Sequence, residues 1–238
     1  YTETIGSCLL VYSMIQKVGL NRKDLMFKLF LFLILFNIAY ADKYGLIING
    51  DDSKQHIANV FAARAALEAN GYFKFYVFSP KGIRVGAPTV ENIDIAFGAL
   101  ASKLTLEDKL FVYVTGHGNN RACIVLPKDR EACLEGFVAR CNLIKAGQKI
   151  FLFDQCFGAA FAHKLEAENT VSISLSATPQ EVQCWTFSPE FWLEVLNTGR
   201  AKFRLSLYEM FRRHKFADED NMPTMFNEVL GMKIILWE

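Results

Sequence analysis

Two short stretches of the chain pair residue types that do acyl chemistry. In "KLFVYVTGHGNN", Lys109–Asn120, an apolar run ends in a histidine between two glycines. In "KIFLFDQCFGAA", Lys149–Ala160, a similar run ends in a cysteine. A thiolate attacks a carbonyl, backbone N–H groups hold the oxyanion that forms, and an imidazole gives a proton to the leaving amine. Cys156 opens the turn before Phe157-Gly158-Ala159-Ala160, which reads as a helix start, and the positive end of a helix favours a thiolate. Gly118 has no side chain, so its N–H can approach a substrate carbonyl closely; the N–H of Cys156 is the natural second donor. His117 is then the proton donor. Each residue also has a plainer reading, since a cysteine after a buried strand is often a small core hydrophobe and Gly-His-Gly can be only a turn. His56, His163 and His214 lack a comparable setting and read as ordinary surface or helix residues. No spacing of His, Cys and carboxylates fits zinc and no glycine-rich phosphate loop occurs, so neither a metal nor an organic cofactor is expected.

The elements that must position these tips follow from periodicity. Tyr44–Gly50, Phe73–Ser79, Leu110–Thr115, Ile150–Asp154 and Thr170–Ala177 are apolar throughout and read as strands, with a short one at Cys123–Leu126 and a last one at Lys233–Trp237. Between the first two, Asp52 or Ser53 can cap a helix whose stripe is Ile57, Phe61 and Ala65 with Val60 and Leu67, closed by Asn70-Gly71. Thr89 caps a second helix with its face at Val90, Ile93, Phe97, Leu100 and Leu104. Further helices are expected over Glu131–Leu143, from Ser188-Pro189-Glu190 to Gly199, and over Ala201–His214. Fully apolar strands alternating with helices predict an α/β fold with a mostly parallel sheet covered on both faces. Chemistry in such sheets lies beyond the carboxyl ends of the strands, where His117 and Cys156 both stand.

A net charge of +1 gives no electrostatic case for nucleic acid. Phenylalanine, 21 in all, crowds toward the N-terminus for a reason: Met26 to Ala41 has a basic start, a short apolar centre and Ala39-Tyr40-Ala41 as a small-x-small exit. Those are the parts of a secretory signal peptide. The apolar run is short of the roughly 20 residues a spanning helix needs; an uncleaved anchor is the alternative. Residues 1–25 then read as an upstream extension, 26–41 as the signal, and 42–238 as one domain, secreted or periplasmic, without stable membrane insertion once the signal is cleaved. Five cysteines fall in that domain, Cys123, Cys133, Cys141, Cys156 and Cys184, so at least one thiol is unpaired or reserved for chemistry. Cys133 and Cys141, on one expected helix, would lie about 12 Å apart, too far to bridge. The other pairings stay open.

The segment "DKLFVYVTGHGNNRACIVLP" closely resembles the strand–His–Gly segment of the legumain (asparaginyl endopeptidase) family of caspase-like cysteine peptidases. "KIFLFDQCFGAAF" is similar to that family's strand–Cys segment, and "SLSATPQEVQCWTFSPEFW" to its next strand and substrate-lining loop. The spacing of 39 residues from His117 to Cys156 is also similar. The resemblance runs over about Tyr44–Leu196. It implies a caspase-like three-layer α/β/α sandwich and a secreted cysteine endopeptidase acting on peptides or proteins. It implies His117 as catalytic histidine, Gly118 as oxyanion donor and Cys156 as nucleophile, with Asn49 or, as an equally good match, Asp52 supporting the histidine. The substrate pocket would involve Lys54 where the family has Arg, Phe157 where it has Glu, together with Ser176 and Glu181. A lysine lacks the fork of a guanidinium, so a pocket for Asn does not carry over with the hydrolytic residues. A transamidase using the same dyad and a catalytically idle binding domain are the alternative functions.

Overall fold

The apolar runs become strands buried on both faces. The computed structural model describes residues 41–237 other than 83–84, 129, 166, 177–186 and 215–222. The expected extension at 1–25, nearly all of the expected signal segment, Glu181 and Cys184 lie outside the described residues. Among the described residues no helix is long and apolar enough to cross a membrane.

Among the described residues nine strands form, β1 (Lys43–Asn49), β2 (Lys74–Phe78), β3 (Lys109–Thr115), β4 (Gly118–Asn119), β5 (Cys123–Leu126), β6 (Arg130–Cys133), β7 (Gln148–Asp154), β8 (Thr170–Ser174) and β9 (Thr224–Phe226). The helices are α1 (Lys54–Ala69), α2 (Val90–Lys103), α3 (Leu134–Asn142), α4 (Gly158–Lys164), α5 (Phe187–Ala201), α6 (Leu207–His214) and α7 (Glu228–Gly231). Six strands make one mixed sheet in the order β2-β1-β3-β7-β8-β9, parallel except for β9. A small antiparallel sheet, β4-β5-β6, stands beside the end of β3.

Successive strand residues point to opposite faces, and each face has its own core. Ile47, Phe111, Tyr113, Ile150, Leu152 and Ile173 pack with residues of α1, α5 and α6. Leu46, Ile48, Val112, Val114, Phe151 and Phe153 pack with residues of α2, α3 and α4. The α2 stripe is as expected, with Ile93, Phe97, Leu100 and Leu104 buried. The α1 stripe is turned. Phe61 is 48% exposed, and the buried face is His56, Asn59, Val60, Ala63, Ala66 and Leu67. Two polar residues hold positions that a search for apolar periodicity discards.

Four other expectations differ from the structure. Glu131 to Cys133 is strand, not helix, because Cys133 lies directly across the β5–β6 ladder from Cys123 and bonds to it. The helix begins only at Leu134. Gly199 does not end α5; a Cβ there would sit 2.4 Å from the Asn70 amide nitrogen, so the residue is small to admit Asn70, which donates to the Val195 carbonyl at 2.9 Å. The helix expected from Ala201 starts at Leu207. Lys233–Trp237 alternates as a strand would and buries Ile234 and Leu236, yet it forms only the single bridge from Ile235 to Ser206. Among the described residues the strand that edges the sheet beyond β8 is β9.

The Cys123–Cys133 bridge closes a short loop, with a sequence separation of 10. Replacing both residues with serine is expected to cost about 2–3 kcal/mol of unfolded-chain entropy. Thermal melting should show a midpoint lower by roughly 4–10 °C.

Candidate active site

The carboxyl ends of three adjacent strands are in register. Thr115 of β3 pairs with Asn49 of β1 on one side and with Asp154 of β7 on the other. Two residues beyond that row on each chain stand Asp51, His117 and Cys156. The histidine therefore leaves the sheet between a carboxylate and a thiol, although the three residues are far apart in sequence.

The backbone brings the two tips together. Gly116 has φ +117°, a conformation that favours glycine, and it turns the chain sharply after β3. The His117 carbonyl then accepts the Val125 N–H at 2.9 Å. This leaves Gly118 and Ile124 as a non-hydrogen-bonded pair, with the Gly118 N–H directed away from β5. Cys156 packs against Gly118: a Cβ at position 118 would fall 1.9 Å from the Cys156 carbonyl oxygen. Only glycine admits this approach. Cys156 itself is a half-buried free thiol. The next residue, Phe157, is half-buried and adopts φ +60°, a costly conformation for an aromatic residue and one that clusters at functional turns.

Behind the tips lies a buried polar network. Asp154 is fully buried, and its Oδ2 accepts from Asn59 Nδ2 (3.1 Å), Thr115 Oγ1 (3.1 Å), Ser188 Oγ (2.8 Å) and the Tyr113 hydroxyl. Burial, then the neighbouring Asp154, push the Tyr113 phenol well above its ordinary range. His56, 1% exposed, has Nδ1 2.8 Å from Thr115 Oγ1. The Thr115 hydroxyl thus lies between the Asp154 carboxylate and the His56 ring. Burial lowers the His56 pKa, against the opposing pull of Asp154 and Asp51. Asp51 Oδ2 stands 3.7 Å from His56 Nε2 and 3.9 Å from His117 Nε2. Partial burial would raise the Asp51 pKa, but a hydrogen bond from the Ser53 side chain and the charges of His56 and His117 bring it below the ordinary value.

The residues named from sequence fall in different places. His117, Gly118 and Cys156 come together as described. Asn49 is fully buried; it donates to Ser79 Oγ at 3.1 Å and its Oδ1 accepts the Asp51 N–H at 2.9 Å, so it braces the acid from behind. Asp52 is exposed and pairs with Lys81 at 2.9 Å. Asp51 is the acid beside the imidazole. Lys54 is exposed at the start of α1. Ser176 is fully buried, and its hydroxyl accepts the Ala159 N–H at 3.0 Å, fastening the first turn of α4. His56 is a correction: it is neither surface nor ordinary, being the buried neighbour of His117, with ring centroids 5.9 Å apart. His163 is exposed and stacks on Phe226, and His214 pairs with Glu194 and Glu190.

Sequence reading passed over Asp51, His56 and Asp154. A usable signal was there: His56 and Asn59 continue the i, i+3, i+7 spacing of Ala63 and Ala66, polar residues on an inward face. Cys123, Glu131 and Cys133 have donor atoms close enough to hold a metal ion, but both sulfurs are used in the disulfide. Comparison of the chain with protein-family models and with curated proteins gives no match.

Two outcomes follow from the geometry. Gly118→Ala should force Cys156 and the His117 loop apart and lower stability by about 1–3 kcal/mol, as read from urea unfolding. Because the folded state holds the His56 pKa down, the unfolded chain binds more protons as the pH falls below about 6.5. The contribution of this residue to stability is therefore complete above that pH and is lost on acidification through the folded value. The urea midpoint of the wild type should drop from pH 7.5 to pH 5 by more than that of His56→Asn.

Proposed function

We propose that this chain is an exported cysteine endopeptidase of the legumain type, on a caspase-like three-layer α/β/α sandwich. One observation carries the reading: an unpaired thiol, Cys156, whose backbone meets Gly118 at the end of the strand beside His117. Two of the three sequence stretches that resemble the legumain family meet at this point.

In the mechanism, the Cys156 thiolate adds to the scissile carbonyl carbon. The C–O π electrons move onto oxygen, where the N–H groups of Gly118 and Cys156 hold the charge. The tetrahedral adduct collapses as the C–N bond breaks, and protonated His117 gives its proton to the departing amine. A thioester on Cys156 remains. Water, losing a proton to His117, adds to that thioester and releases the acid and the thiolate. Asp51, 3.9 Å from His117 Nε2, stabilises the imidazolium form through charge. The chemistry needs no metal or cofactor, and an amine in place of water would make the same acyl-enzyme a transamidase.

The disulfide Cys123–Cys133 supports export, since such bonds persist in oxidising compartments. Phe157 replaces the family's Glu beside the nucleophile, and Lys54 replaces its Arg. Both changes favour a pocket for a residue other than Asn, with Ser176 acting from beneath and Glu181 contributing as the resemblance implies.

The test incubates the full chain and its Cys156→Ala variant with a mixed peptide library and reads the products by mass spectrometry. The expected result is cleavage by the first, with a loss of at least about a thousandfold in the second. Product-free digests by a folded wild type, with Cys156 unlabelled by a thiol-reactive peptide, would instead indicate an idle binding domain.

A further inference from the structure

We propose that Cys123, Cys133 and Glu131 form a binding site for a zinc ion once the Cys123–Cys133 bond is reduced, separate from the chemistry at Cys156. The ladder and the alternation of side chains bring the three together. Cys123 lies directly across from Cys133, and Glu131 is two residues before Cys133 on β6, so all three side chains share one face of the small sheet. The opposite face, with Ile124 and Ala132, packs on the core. The two sulfurs and a Glu131 carboxylate oxygen lie within 4.8 Å of one another.

A disulfide has no use for a carboxylate, yet Glu131 is held as a metal ligand would be. Its Oε1 accepts from Asn119 Nδ2 at 2.8 Å and from the Arg121 guanidinium. Its Oε2 stands 4.0 Å from Cys133 Sγ. Asn119 is fixed in turn, since its Oδ1 accepts the N–H groups of Arg121 (3.1 Å) and Cys123 (3.2 Å). One carboxylate oxygen is thus oriented from behind while the other faces the sulfurs, as outer hydrogen bonds orient a ligating carboxylate. Cys133 is exposed and Cys123 buried, so a reductant reaches the bond at Cys133, and exposed disulfides are the more readily reduced. Two molecules of a thiol reductant give the bond two electrons and two protons, join as their own disulfide and leave Cys123 and Cys133 as thiols. Zinc then sends both thiol protons to solvent, binds the two thiolates and Glu131 Oε2, and keeps a fourth position for water. Thiolate donors favour zinc over magnesium or calcium. The β5–β6 ladder is then braced by a sulfur bond in an oxidising medium and by an ion in a reducing one.

The test uses the full chain with Cys156→Ala, which removes the half-buried thiol of the candidate active site. The protein is reduced with a phosphine, which leaves as its oxide, then desalted without air and titrated with Zn2+ against a chromogenic chelator. The reduced chain should bind one zinc ion at least about tenfold more tightly than the oxidised chain, and Glu131→Gln should weaken that binding by at least about tenfold. Peptide mapping by mass spectrometry should show bound zinc protecting Cys133 from alkylation. Zinc held no better by the reduced chain overturns the proposal, as does binding that leaves Cys133 unprotected or an affinity unchanged by Glu131→Gln. The protection experiment needs no substitution in the small sheet, so it decides alone if the glutamine variant does not fold. None of these outcomes depends on peptide cleavage, so the peptidase reading stands or falls separately.

Discussion

A carboxylate removed from water must be given its hydrogen bonds by the protein, or the fold that buries it is not stable. Asp154 is that carboxylate here, and its partners come from α1, β3 and α5. Satisfying it fixes where those elements lie around the carboxyl end of β7. The helix α1 must present Asn59 inward, which also turns His56 inward one turn earlier. Thr115 must face Asp154, and its hydroxyl then stands 2.8 Å from His56 Nδ1. The residue two positions after Asp154 is Cys156, so the most constrained point of the sheet lies directly beneath the free thiol.

Much of this was legible before any coordinates. Fully apolar runs identify β1, β3, β7 and β8, because strands covered on both faces have no polar side to show. The two tips were legible for the same reason, as abrupt polar or glycine ends of apolar runs. What could not be read was which strand neighbours which. The row Asn49–Thr115–Asp154 exists only once β1, β3 and β7 are paired, and only then does Asp51 rather than Asn49 or Asp52 fall beside His117. His56 was hidden by a rule that is usually sound. Polar residues belong outside, so a stripe drawn through Ile57 and Phe61 looked better than the one the chain uses, and only Asp154 and Thr115 make the latter favourable.

The boundaries that shifted have local causes of the same kind. A ladder partner and a sulfur bond kept Glu131 to Cys133 extended although their residue types allow a helix. Gly199, a good helix stop in isolation, is small because Asn70 needs the room. In each case an interaction distant in sequence overrode a local preference.

The chain carries sulfur in two oxidation states at once. Cys123 and Cys133 are joined, while Cys156 is a free thiol whose backbone meets Gly118 of the β4–β5 hairpin. Nothing in bulk redox potential sorts them; proximity does. Cys133 is the direct ladder partner of Cys123, whereas the backbone of Cys156 is pressed against a residue with no side chain at all. Gly118 thus has a second consequence: by filling the space beside Cys156 with bare backbone, it puts an inert neighbour where another cysteine would capture the thiol.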